Sequence, residues 1–164
     1  MKKILIILLT AALTACSSLT PAEKAERQAR IARAVEKALA ERHYTVDIVM
    51  MYPTRGKAVN VAHDYSLEVR GDTLVSYLPY FGRAYSVPYG GGKGLNFTAP
   101  ITEYHSEKDG HGMTSVSIKA KNEEDVYTFS LEIYDNGSTS INLRAHEREP
   151  INYSGDMVLS GTDE

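Results

Sequence analysis

Tyr127-Thr-Phe-Ser-Leu-Glu-Ile-Tyr-Asp-Asn-Gly-Ser-Thr-Ser-Ile-Asn-Leu143 is two alternating runs joined by a turn. Tyr127, Phe129, Leu131 and Ile133 share one face of the first run, the period of a half-buried strand. Thr139, Ile141 and Leu143 do the same in the second. A two-residue Asn136-Gly137 turn would pair Ile133 with Ser140 and Leu131 with Asn142, setting polar groups against the core. A three-residue turn with Gly137 in the left-handed region pairs Ile133 with Thr139, Leu131 with Ile141 and Phe129 with Leu143. A one-residue slip turns every side chain over, so the three-residue turn with a glycine bulge is the expected one.

The same alternation recurs on either side. Tyr44, Val46, Ile48, Met50 and Tyr52 predict a strand, and Pro53 to Lys57 a turn. Val59 to Val61 is a short strand piece. Tyr65, Leu67 and Val69 precede Gly71-Asp72, and Leu74 to Leu78 returns. Here a two-residue turn pairs Val69 with Leu74, a three-residue turn pairs Leu67 with Val75, and both keep apolar residues together. Ile101 to Glu107 alternates weakly, followed by a turn at Lys108 to Gly112 and an inward set of Thr114, Val116 and Ile118. Ile151, Tyr153 and Met157 to Leu159 make a last strand, bent near Gly155.

Ahead of the strands, Thr20-Pro21-Ala22-Glu23 reads as a capping box with proline at the first helical position. A helix follows to about Arg42, rich in Ala, Glu, Arg and Lys. Its apolar stripe, Ile31, Val35, Ala38 and Leu39, occupies only the second half. The expected fold is therefore α+β: one N-terminal helix packed on a mainly antiparallel β-meander of seven or eight strands, either an open curved sheet or a partly closed barrel.

The first residues set the expected destination. Lys2 and Lys3, an apolar run Ile4 to Leu9 and Leu13-Thr-Ala-Cys16 have the order of a secretory signal. Leu-x-Ala-Cys after the apolar run is similar to the bacterial lipobox, which implies acylation of Cys16, the sole cysteine. Acyl chains hold a protein to a membrane at about 0.8 kcal/mol per buried methylene. The expected division is a signal peptide over 1–15, a lipidated N-terminus and exposed start of the helix over 16–30, and a single domain over 31–160. Without Lys2 and Lys3 the chain keeps 16 basic against 21 acidic residues. That balance disfavours nucleic acid as a partner.

One connection is too long to be a simple turn. Tyr77 to Phe97 holds six of the 14 Tyr and Phe residues and five of the 12 glycines. Long loops in compact domains are commonly functional, and aromatic rings supply contact area with a polar handle. Tyr80, Phe81, Arg83, Tyr85, Tyr89, Gly90, Gly91, Gly92 and Lys93 are the candidate binding residues. A phosphate-loop reading fails, because Val87 stands where the first glycine is required and Gly94 replaces the Ser or Thr that would hold magnesium. No histidine spacing, cysteine nucleophile or nucleophile elbow points to catalysis, a metal or another cofactor.

Three segments carry a resemblance: Tyr52-Pro53-x-Arg55-Gly56, Asp64-Tyr65-Ser66-Leu67-x-Val69, and Tyr77 to Tyr85 continuing to Gly91-Gly-Lys-Gly-Leu-Asn-Phe97. Together they resemble a family of small Bacteroidetes lipoproteins known only as domain of unknown function 4251. The resemblance implies a secreted, membrane-anchored protein and supplies no activity or site residue. In such bacteria an acidic signal after the cysteine is associated with surface export, and here Ser17-Ser-Leu-Thr20 stands instead. The expected place is the outer membrane, facing the periplasm. The expected role is a non-enzymatic module that binds a protein or small-molecule partner through the aromatic and glycine loop. The alternative is a hydrolase of an envelope glycan or cell-wall substrate.

Overall fold

The computed structural model describes residues 20–61, 64–82 and 95–159. Helix α1 (Pro21–Ala40) is followed by nine strands: β1 (His43–Pro53), β2 (Val59–Asn60), β3 (Ser66–Arg70), β4 (Thr73–Leu78), β5 (Leu95–Lys108), β6 (Met113–Lys121), β7 (Val126–Tyr134), β8 (Ser138–Ala145) and β9 (Arg148–Met157). All pairings are antiparallel, and each strand from β3 onward pairs with the next. β9 returns to pair with β1 from Val46↔Met157 to Pro53↔Ile151, which closes the barrel.

β2 does not widen the barrel. β9 occupies one edge of β1. β3 lies along the other edge at His43 to Asp47, and β2 continues the same line at Met50 and Met51. The Val61 N–H donates to the Val49 carbonyl, and the Ile48 N–H to the Tyr65 carbonyl, at either end of the interruption. β2 and β3 thus form one broken stave of an eight-stave barrel. Closure leaves no free edge along this seam, the usual remedy for an exposed strand.

The β7–β8 hairpin has the register its apolar pattern demands: Phe129↔Leu143, Leu131↔Ile141 and Ile133↔Thr139. Gly137 sits at φ +88°, in the left-handed region. In the β3–β4 hairpin the two-residue turn is the one formed, with Arg70↔Thr73 and Val69↔Leu74.

Two strands depart from simple alternation. In β1 a register shift falls between Ile48 and Met50. Tyr44, Val46 and Ile48 are buried, and the inward frame then passes to Met51, leaving Met50 half-buried and Tyr52 41% exposed. Val49, Met50 and Met51 are all apolar, so the sequence carries no mark of the frame change. β5 is longer than the weak alternation suggests. It starts at Leu95, puts Leu95 and Ala99 into the core with Phe97 against it, and shifts register between Ile101 and Glu103. The long connection therefore runs from 79 to 94, shorter than the stretch Tyr77 to Phe97, because Tyr77, Leu78 and Leu95 to Phe97 belong to strands.

α1 has its capping box: Thr20 accepts from the Glu23 N–H, and the Glu23 carboxylate accepts from the Thr20 N–H. Residues 21–30 are exposed, whereas Val35 and Leu39 join the core. The helix packs at the barrel end where β5 finishes and β6 begins. A cavity of about 430 Å³ there is lined by Leu39, Arg42, Tyr104, Lys108 and Asp135. Arg42 leaves the helix at φ +48°, lays its guanidinium 4.4 Å from the centre of the Tyr104 ring and pairs with Asp72 at 3.3 Å. The Tyr104 hydroxyl lies 3.3 Å from that of Tyr44, and burial pushes both phenols up. No helix among the described residues is long and apolar enough to cross a membrane.

Candidate functional site

The opposite end of the barrel, the loop end, gathers the described start of the 79–94 connection, the β6–β7 turn, the β8–β9 turn and the segment after β1. Its main feature follows from the length of β5. That strand pairs with β4 over Leu95 to Pro100 but with β6 only from Ile101 onward. Its first half therefore has one edge without a strand beside it among the described residues. The Ile101 N–H donates to Asp72, and Leu95 O accepts from the Ser76 hydroxyl. Backbone groups of odd-numbered residues thus face β4, and those of Asn96 and Thr98 face the side with no described strand. Pro100 shares that side, where a missing N–H costs no ladder bond.

Between this edge and the β6–β7 turn lies a groove of about 800 Å³. Asn96, Thr98 and Pro100 line one wall, Asn122, Glu123 and Glu124 the other, and Phe97 is its aromatic residue among the described ones. Phe97 stacks on Tyr127, centre to centre 4.2 Å with planes 22° apart. Aromatic pairing of this kind is worth about 0.5–1.5 kcal/mol beyond area burial. The Tyr127 hydroxyl approaches Asn122 without making a hydrogen bond, and burial raises its pKa.

The turn is rigid because its side chains satisfy its backbone. Asn122 Oδ1 accepts from the N–H groups of Glu124 and Asp125 at 2.8 and 2.9 Å, an Asx arrangement. The buried Asp125 carboxylate takes three more N–H groups: Val126 at 2.6 Å, His146 at 2.9 Å and Glu147 at 3.0 Å. One side chain thus bolts the β6–β7 turn to the β8–β9 turn. Next to the bolt, the Arg148 side chain is only 9% exposed, pairs with Glu124 at 3.7 Å and places its guanidinium 5.6 Å from the Tyr80 ring centre.

Of the residues singled out from sequence, Tyr80 and Phe81 are described, and they go opposite ways. Tyr80 is half-buried, and its hydroxyl donates to the Glu149 carbonyl at 3.2 Å. Beside it the buried Tyr153 donates to the Pro79 carbonyl at 2.7 Å, its pKa pushed up chiefly by burial. The start of the connection is thus pinned to β9. Phe81 is 66% exposed. Arg83, Tyr85, Tyr89, Gly90, Gly91, Gly92 and Lys93 lie outside the described residues, as does Cys16. The groove walls, Asp125 and Arg148 were not foreseen. Arg148 lies three residues before Ile151, on the opposite parity, so alternation does not mark it as inward. His105 and His111 sit at the helix end, and no group of three His, Cys, Asp or Glu suited to a metal occurs among the described residues.

Comparison with known proteins agrees with this architecture. Residues 26–157 match the model of a family described as "Domain of unknown function (DUF4251)". No curated protein matches the chain. The crystal structure of a DUF4251 family protein from Bacteroides eggerthii is similar in fold, with a TM-score of 0.61 at 13% identity, over 80% of this chain and 91% of that one. The chain belongs to the DUF4251 family.

Proposed function

We propose that the protein is a lipid-anchored envelope module, held by acyl chains on Cys16 to the outer membrane on its periplasmic side, which captures a protein or small-molecule partner at the loop end. The observation that carries this reading is the placement of the groove. α1, the element nearest Cys16, packs at one end of the barrel, and the groove opens at the other. A tether at the helix end leaves the groove turned away from the membrane. The exposed first half of α1, residues 21–30, serves as a stalk of about 15 Å at 1.5 Å per residue.

The loop end has the attributes of a contact surface. Phe81 offers an exposed ring, the Asn96–Pro100 edge offers backbone donors and acceptors, and Asp125 holds the far wall in place. Extended ligands commonly add to such edges. The experiment is cross-linking and pull-down of the full-length protein from membranes, in wild type, Cys16→Ser and Thr98→Arg forms. Thr98 is exposed, so arginine there fills the groove without entering the core. Cys16→Ser is expected in the soluble fraction, and Thr98→Arg is expected to stay membrane-bound and lose the partner. A Thr98→Arg protein that recovers the wild-type partner would refute the site, and a Cys16→Ser protein that stays on membranes would refute the anchor.

A further inference from the structure

A second surface lies on the outer wall, away from both ends. Register sets Ser117 opposite Ser130, Ser130 opposite Asn142, Asn142 opposite Asn152, and Asn152 opposite Tyr52. The neighbouring row contributes Ser140 and Ser154, with Glu132 its one charge. Charged side chains return on either side of this band, with Lys119 and Arg144 toward the loop end and Asp47 and Asp156 toward the helix end. The band holds a depression of about 400 Å³.

Its chemistry is narrow. Asn142 Nδ2 donates to Asn152 Oδ1 at 2.6 Å. Whichever amide donates, the linked pair keeps one carbonyl oxygen and one amino group for a ligand. Tyr52 and Ser154 share a hydroxyl contact at 3.2 Å, and Tyr52 is 41% exposed. A nucleic acid would need clustered cations, which the band lacks. A protein partner draws most of its binding energy from buried aromatic, arginine or apolar anchors, and the centre of the band has one ring. Adjacent hydroxyls on a sugar are each both donor and acceptor, which the linked amides match, and the C–H face of a sugar ring packs on an aromatic one.

We infer that this band binds a neutral glycan chain lying across β7, β8, β9 and β1, from Ser130 to Tyr52. Three inter-strand steps of about 4.8 Å span roughly 14 Å, room for a short oligosaccharide. The site is independent of the groove at the loop end. The test is electrophoresis of the full-length protein through native gels containing dextran, mannan, xylan or hydroxyethylcellulose. At least one polymer is expected to slow the wild type. Tyr52→Ala and Asn142→Ala are each expected to weaken that retardation about tenfold, the loss of one ring or hydrogen-bond contact. Ser130→Arg, at an exposed position, blocks the band even if Asn142→Ala folds poorly, and Thr98→Arg is expected to behave as wild type. Failure of all four polymers to slow the wild type overturns the inference, as does equal retardation of wild type, Tyr52→Ala and Ser130→Arg.

Discussion

Gly155 of β9 lies so close to Asp47 of β1 that a methyl group built on it would sit 1.9 Å from the Asp47 carbonyl oxygen. The contact falls on the seam that closes the barrel, beside the register shift between Ile48 and Met50. The obstructing atom is backbone, so it moves only if the seam opens. Gly155→Ala is therefore expected to cost about 3 kcal/mol, read as a lowered urea midpoint. An unchanged midpoint would mean that the seam yields freely.

Asp125 is expected to matter as much without any contribution to the core. Truncation to alanine removes the side-chain acceptor of three N–H groups, those of Val126, His146 and Glu147, of which His146 keeps the Val126 carbonyl at 3.3 Å. At about 1–3 kcal/mol for each unsatisfied buried group, offset by partial access to water, the loss is about 3 kcal/mol. Asp125→Asn keeps a carbonyl oxygen and is expected to recover part of it. Equilibrium denaturation of both variants measures the difference, and equal stability of Asp125→Ala and wild type would contradict the bolt.

The buried tyrosines predict an alkaline limit. Burial raises the phenols of Tyr44, Tyr104, Tyr127 and Tyr153 in the folded chain. A folded pKa above the unfolded value of about 10 means the folded state holds the proton longer, so stability is intact below about pH 10 and falls as pH rises past it. Phenolate absorbance from Tyr44 and Tyr153, the two raised furthest, is expected to appear only as the chain unfolds. Asp109 has the opposite sign. Accepting the Met113 and His111 N–H groups lowers its pKa, so its contribution is present above the ordinary carboxylate range and lost as pH falls. That group is only half-buried, so the acid effect is expected to be the smaller one.

Gly137 tests the hairpin. A methyl group there meets only ordinary contacts, 3.6 Å from Leu159 and 3.7 Å from Met157, so the cost is that of φ +88°. Gly137→Ala is expected to lose about 1 kcal/mol with the register unchanged. Deleting Asn136 leaves a two-residue Asp135-Gly137 turn that keeps Thr139 opposite Ile133, so it is expected to preserve the register as well. Denaturation midpoints of the two variants measure both costs.

What was legible in the sequence divides along physical lines. The β7–β8 register was readable because only one pairing keeps Phe129, Leu131 and Ile133 opposite apolar or small partners. The cap of α1 was readable because Thr20, Pro21 and Glu23 act within one turn. The frame change in β1 was hidden in Val49-Met-Met51, where every frame is apolar. Closure was hidden as well, because it rests on Gly155 meeting Asp47, residues more than a hundred positions apart. The groove was missed for a related reason. It is the space left where β6 ends before β5 does, a mismatch in strand length that no single segment displays. Tyr80 and Phe81 were singled out together for their rings, yet one anchors to Glu149 and the other is exposed.

The reading of the loop end as a capture surface is tested most directly by photo-cross-linking in living cells. A photoreactive phenylalanine analogue is placed at Thr98 in the groove, at Phe81 just after β4 at the loop end, or at Arg70 near the helix end, in the full-length lipidated protein. All three positions are exposed. One discrete adduct, shared by the Thr98 and Phe81 positions and absent at Arg70, is expected. The same adduct at Arg70, or none at Thr98 and Phe81, would contradict that reading.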